Sequence, residues 1–257
     1  MKMWLQHPLI LLLAFSSLAS CRLVDDFLAT PPNGCPQFFL NTPNGHVTPT
    51  ILQPAQRYQR ICQEYLGLDR FATLYDTQNR IPVYSAYLHV PHTQIDTMRY
   101  QCLDYLNSGM DKGHLYPSYH NNDVEGMDAT FSLTNAAPQA RSFRTQWFGQ
   151  VEYPANELIQ IDCGSNTAYV VTGVVPDRIL TISNNRVRVA SHFWTAYCCL
   201  DNSGNVIGHG AFLMDQYGDM LLKPNQNVQD LENLLKLKMI VIHVEKDVKQ
   251  RYNCIHN

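Results

Sequence analysis

The sequence predicts an α+β fold in which a mainly antiparallel central sheet is flanked by helices. Three observations lead there. Phe71–Tyr75 and Ile81–Val90 are β-rich runs around Asp76-Thr77-Gln78-Asn79, the signature of a hairpin. Ala168–Val175 is a nearly unbroken apolar run with β-branched residues, as in a strand buried on both faces. Strand candidates outnumber helices, and short turns join them, which favours antiparallel pairing.

Taken in order, residues 29–54 are rich in Pro, Asn, Gly and Thr and read as an irregular lead-in. Gln56–Leu68 has helical spacing, closed by Gly67 in its last turn. The hairpin follows, then a strand over Ala129–Leu133 and a helix around Phe143–Ile161. After the strand at Ala168–Val175, Arg186–Val189 leads into a strand at His192–Leu200, and Asn202–Asn205 turns the chain into Val206–Met214. A last helix covers Val228–Leu237. No internal repeat or linker interrupts this series.

The 257 residues suffice for one large domain with a core that needs no staples. Lys2, the apolar run Pro8–Phe15 and the small residues Ser16, Ser17, Ala19 and Ser20 follow the pattern of a secretory signal peptide. Residues 1–20 are therefore read as a leader, with cleavage after Ala19, Ser20 or Cys21, and residues 21–257 as one secreted, extracellular domain. No later segment reaches the roughly 18 apolar residues that a membrane span requires. Secretion makes disulfides the expected state of Cys35, Cys62, Cys102, Cys163, Cys198, Cys199 and Cys254, and of Cys21 where cleavage leaves it in the mature chain, without fixing their pairing.

The 22 acidic residues outnumber the 19 Lys and Arg, so binding to a polyanion must rest on a local basic patch or a metal ion. No C-x-x-C pair, Walker-type loop, Gly-x-Ser-x-Gly elbow or His-Glu-x-x-His helix is present. Chemistry concentrates instead in Asp111-Lys112-Gly113-His114-Leu115. His114, one of ten histidines, is chemically suited to act as a base, because an unperturbed imidazole titrates near working pH; the resemblance that its segment carries is what singles it out. Asp111 or a nearby carbonyl would fix its tautomer, and Gly113 would let the backbone bend beside it. His120 reads as loop surface and His192 as a satisfied structural group. Trp147 and Trp194 read as core. Arg186 and Arg188 share one strand face, either as a basic stripe or as a solvated edge.

Asp111–Leu115, Thr130–Gln139 and the helical stretch Trp147–Glu152 together resemble the DNA/RNA non-specific endonucleases that carry a ββα-metal (His-Me) finger. Arg70–Tyr87, Tyr169–Pro176 and Ser191–Cys199 agree with the same family in the same order, so the resemblance runs from about Cys35 to Cys254. It implies a ββα-metal finger within the α+β fold, and hydrolysis of phosphodiester bonds in DNA and RNA without sequence specificity. It implies a general base at His114, supported by Asp111, and a divalent ion such as Mg²⁺ organised by Glu152 and Asn135. Arg80, Lys112 and Arg144 would contact the phosphate backbone. Lysine at 112, where the family often has arginine, keeps the charge but loses the bidentate fork.

One departure bears directly on mechanism. Nine residues beyond the asparagine matched by Asn135, the family places a metal-ligating asparagine; here that position is Arg144. A guanidinium accepts no metal and repels a cation. Either a neighbour such as Asn135 or Glu152 holds the ion, or Arg144 replaces it as a fixed cation, or the fold persists as a catalytically inactive secreted binding protein. Reduced activity is expected in the first two cases.

Overall fold

In a computed structural model, residues 19–43, 45–49, 54–90, 103–223 and 227–237 are described. The elements are β1 (Ala19–Val24), β2 (Leu40–Thr42), β3 (Gly45–Val47), β4 (Tyr58–Tyr65), β5 (Leu68–Asp76), β6 (Ile81–Leu88) and β7 (Met110–His114). They continue with α1 (Val124–Ala129), β8 (Ala136–Ala140), α2 (Arg141–Trp147), α3 (Tyr153–Cys163), β9 (Thr167–Ile182), β10 (Val187–Leu200), β11 (Val206–Asp215), β12 (Met220–Leu222) and α4 (Val228–Leu237). Eight strands form one sheet in the order β1-β4-β5-β6-β9-β10-β11-β12, and every pairing in it is antiparallel. The expected α+β class is the observed one.

The sheet is covered on both faces, so its strands alternate between two cores. Along β10, Phe193 and Tyr197 point into the core beneath α2 and α3, with Phe143, Trp147, Val151 and Ile159. Trp194, one residue on, packs on the other side with Phe38, Phe39, Leu74, Leu231 and Leu235. The period of two puts successive side chains on opposite faces. Trp147 and Trp194 are thus core residues, as expected. Disulfides Cys35–Cys62 and Cys163–Cys199 tie the lead-in to β4 and the end of α3 to β10. Cys21 is free and exposed, and Ala19 and Ser20, read from the sequence as the end of a leader, lie in β1.

Two expected elements are of a different type. Residues 58–65 form a strand, not a helix, and Leu66-Gly67 is a hairpin turn with both residues in the left-handed region. The apolar positions Tyr58, Ile61, Cys62 and Tyr65 mimic helical spacing because β4 is buried on both sides: Cys62 in one core, Tyr65 in the other. The strand expected over Ala129–Leu133 is also displaced. The Asp123 carboxylate caps a helix by accepting from the Gly126 N–H at 2.6 Å, and α1 then takes up Ala129. The strand begins later, at Ala136.

Candidate active site

β7 and β8 form a separate two-stranded ribbon, with His114 opposite Ala136 and Gly113 opposite Ala137. α2 follows β8 directly, giving a strand–strand–helix finger whose helix is seated on the sheet by Phe143 and Trp147. Asn135 fastens the finger's base. Its Oδ1 accepts from the Tyr116 N–H at 2.9 Å and from the Ser85 hydroxyl at 2.8 Å. Its Nδ2 donates to the carbonyls of Tyr116 at 3.0 Å and Thr130 at 2.9 Å. Every hydrogen-bonding position of this buried amide is filled by protein. Asn135 is therefore a structural clasp and not the metal ligand expected from the sequence.

Gly113 also has a different role from the one expected. It lies in a regular strand, without left-handed backbone. Glycine is required because the Gln139 side chain crosses its Cα: a Cβ there would come within 2.5 Å of Gln139 Cδ. The Gln139 side chain thus lies across the ribbon just before His114.

His114 sits at the ribbon's end and keeps part of its surface open to solvent. Phe131 packs edge-on against its ring, with centroids 4.7 Å apart at 90°. Dense surroundings, then the cations Arg144 and Lys112, push its pKa down to about 4. The imidazole is thus neutral at pH 7. Alternation along β7 places Lys112 on the same face as His114 and Asp111 on the other. Accordingly Asp111 does not orient His114, contrary to expectation. Its carboxylate instead meets the Arg144 guanidinium at 3.4 Å and, more loosely, that of Arg141 at 3.9 Å.

Arg144 is the hub. Besides Asp111, it acts electrostatically on both His114 and Glu152. Glu152 is close because the helix does not continue as an α-helix. Phe148–Glu152 is a π-helical turn, in which the Tyr153 N–H donates to the Phe148 carbonyl five residues back. In a plain α-helix, residues eight apart would diverge by about 80°, whereas one extra residue in a wide turn reduces that to about 20°. The π turn therefore brings Glu152 back under Arg144. Burial raises the Glu152 pKa to about 7, while Arg144 and Trp147 oppose that rise. The buried Trp147 indole N–H approaches the carboxylate but completes no hydrogen bond of ordinary geometry.

The other expected residues fall outside this group. Arg80 is exposed in the β5–β6 turn, with left-handed backbone, and no described contact links it to His114. Arg186 pairs with Asp104, and Arg188 donates to the Arg178 carbonyl at 3.1 Å. His120, expected on the surface, is buried. One ring nitrogen lies 2.9 Å from the Tyr87 hydroxyl and the other 3.0 Å from the Glu152 carbonyl, so His120 braces the π turn from below. Its neighbours in sequence gave no sign of this, because both partners come from distant segments. His192 is satisfied by the Ser191 hydroxyl at 2.9 Å.

Whether a divalent ion fits can be judged from the donors. Among the described residues, no three His, Cys, Asp or Glu side chains converge at ligating distance. Asn135 is saturated, Asp111 is engaged by two guanidiniums, and the positive charge of Arg144 stands beside the one remaining carboxylate, Glu152. This donor set does not suit a hard cation, which needs several free oxygens.

A two-stranded ribbon that delivers an imidazole beside a helix bearing a cation and an acid places this chain in the nuclease-like ββα-finger class. The sequence model of the DNA/RNA non-specific endonuclease family matches residues 89–246, more than half of the chain, and the chain belongs to that family. The endonuclease domain-containing 1 protein of Homo sapiens is 29% identical over 224 residues, covering 73% of this chain and 43% of that protein. Its namesake from Mus musculus is 28% identical over 241 residues, covering 79% and 46%. The chain thus spans less than half the length of these curated relatives. A chain in the crystal structure of the EndoG/EndoGI complex, which concerns the mechanism of EndoG inhibition, aligns at 17% identity over 73% of this chain and 84% of that one, with a TM-score of 0.49.

Proposed function

We propose that this chain binds the phosphodiester backbone of DNA or RNA at the His114–Arg144–Glu152 group and hydrolyses it slowly, without sequence specificity and without a divalent ion. The observation that carries this reading is the place of Arg144, a fixed cation acting on a neutral imidazole and on a carboxyl group whose pKa lies near 7. Arg144 and Lys112 hold the non-bridging oxygens and offset the charge that grows on them in the transition state. His114 takes a proton from the attacking water as the new P–O bond forms. The P–O bond to the leaving sugar oxygen breaks, and protonated Glu152 gives that oxygen its proton. Two groups whose surroundings drive their pKa values apart suit this division between base and acid.

Export is part of the proposal. The leader read at residues 1–20 and the disulfides Cys35–Cys62 and Cys163–Cys199 support an extracellular site of action, and no helix among the described residues is long and apolar enough to cross a membrane.

One observation favours a second reading, a nucleic-acid binder without catalysis: Asp111 already neutralises much of the Arg144 charge. A plasmid-nicking assay with Mg²⁺ and with EDTA separates the two. Cleavage that persists in EDTA and disappears in His114→Ala supports the hydrolase. Binding without nicking at high protein concentration supports the binder, and cleavage that needs Mg²⁺ would refute the metal-free mechanism.

A further inference from the structure

Next to this pocket, three aromatic side chains converge at the surface. Phe148 and Tyr153 keep 44% and 46% of their surface exposed, and Tyr119 is partly exposed. Tyr119 meets Phe148 edge-on with centroids 5.4 Å apart, and Tyr153 at 6.0 Å with ring planes 36° apart. Phe148 and Tyr153 are large rings left at the surface of a helix whose other aromatics, Phe143 and Trp147, are wholly buried. The core therefore does not account for them.

The backbone aligns this cluster with the phosphate pocket. The Phe148 N–H donates to the Arg144 carbonyl, and the Tyr153 N–H to the Phe148 carbonyl, so Phe148 and Tyr153 lie one and two turns beyond Arg144, on a stripe that winds around the helix. A turn rises about 5.4 Å, comparable to the reach from a backbone phosphate to its own base. Charge sets the direction along the stripe. Arg144 and Arg141 make one end cationic, whereas burial, then Tyr153 and lastly the exposed carboxylate of Glu157 raise the Tyr119 pKa, so the charge nearest the aromatic end is negative and phosphate is disfavoured there. A charged strand fits with its phosphate at Arg144 and its base on the rings.

We propose that Tyr119, Phe148 and Tyr153 form a stacking platform for an unpaired nucleobase adjoining the phosphate at Arg144, which makes single-stranded nucleic acid the preferred ligand. The proposal rests on the phosphate-pocket reading above and specifies its substrate class. A base within a duplex is held in the stack and cannot lie on a protein ring without being extruded, whereas an unpaired base stacks on any aromatic face.

Fluorescence anisotropy tests this with a labelled dT12 strand, a 12-base-pair duplex, and an abasic strand of equal length. Wild-type protein should bind dT12 about tenfold tighter than either the abasic strand or the duplex, in line with the usual worth of a base–aromatic stack. Phe148→Ala and Tyr153→Ala should each weaken dT12 binding about three- to tenfold while leaving abasic binding and thermal melting unchanged, and Phe148→Trp should restore affinity. Equal wild-type affinity for dT12 and the abasic strand, with abasic binding still lost in Arg144→Ala, would overturn the platform and spare the pocket. No binding of either strand would overturn both. Tight duplex binding that the aromatic variants leave untouched would likewise overturn the platform.

Discussion

Arg144 Nη1 stands 3.4 Å from Asp111 Oδ2, an ion pair that joins the first turns of α2 to the strand presenting His114. The pair is partly exposed, so its direct contribution to stability is small, about 0–1 kcal/mol. Its value is positional: Asp111 holds the guanidinium over the pocket instead of letting it swing into solvent.

Arg144→Ala should therefore reduce phosphodiester cleavage in EDTA by about 10²- to 10³-fold, the usual effect of removing one transition-state donor. Arg144→Asn should do the same in EDTA but gain activity with Mg²⁺, because it removes the repelling charge, supplies a carbonyl oxygen and frees Asp111. Titration calorimetry with Mn²⁺ provides an independent readout: binding in Arg144→Asn and none in the wild type. Absence of any metal response in the variant would mean that Arg144 does not stand where an ion would bind.

The pH profile follows from the two shifted groups. Protonation of His114 below about pH 4 removes the base, and ionisation of Glu152 above about pH 7 removes the acid. Single-turnover cleavage should therefore plateau between those values and fall on both sides. Glu152→Gln should abolish the alkaline limb along with most of the rate. A rate that keeps rising through pH 8 would exclude Glu152 as the proton donor.

Asn135→Ala should act through stability. It leaves the Tyr116 N–H, the Ser85 hydroxyl and two carbonyls without their partner. A loss of about 3 kcal/mol, or roughly 6–12 °C in Tm, is expected. If Asn135 acted as a ligand, the variant would lose activity with an unchanged melt, and differential scanning fluorimetry distinguishes these outcomes.

The sequence makes the sheet and the finger legible but leaves the polar wiring hidden. The β5–β6 hairpin, the long strands β9–β11 and the helices near 143–161 and 228–237 are written in local period and turn chemistry, which the fold preserves. β4 escapes that reading because burial on two faces erases alternation, and Tyr58, Ile61, Cys62 and Tyr65 then imitate a helix. His114 and Arg144 are identifiable through the family resemblance of the segments that carry them. The roles of Asn135, Asp111 and His120 depend on partners 19 to 33 residues away (Tyr116, Arg144, Tyr87 and Glu152), which no local pattern encodes. The π turn is equally silent in the sequence, although it decides where Glu152 points.

Gly113→Ala should destabilise the finger by about 1–3 kcal/mol, since the new methyl group would overlap the Gln139 side chain in a packed site. Shortening Gln139 makes room, and its Nε2 is buried without a partner. Gly113→Ala in a Gln139→Ala background should thus cost less than in the wild type, and a double-mutant cycle on Tm measures the coupling. Simple additivity would show that Gly113 is required for some other reason.

Glu152 should weaken the fold it serves. Its pKa rises from 4.5 to about 7 on folding, so the native state penalises the charged form. Below pH 4.5 the carboxyl is protonated in both states and the penalty is absent. It grows as pH rises through that range and is complete above about pH 7. Glu152→Gln keeps the shape without the charge, so it should raise stability at pH 8 by roughly 3 kcal/mol and change nothing at pH 4. The stabilised variant should also be the inactive one, as expected where an active site retains an unfavourable group for its chemistry. Urea denaturation of both proteins at the two pH values measures this directly. A Glu152→Gln protein less stable at pH 8 than the wild type would mean that the Arg144–Glu152 attraction outweighs burial, and that Glu152 is held as a carboxylate rather than as an acid.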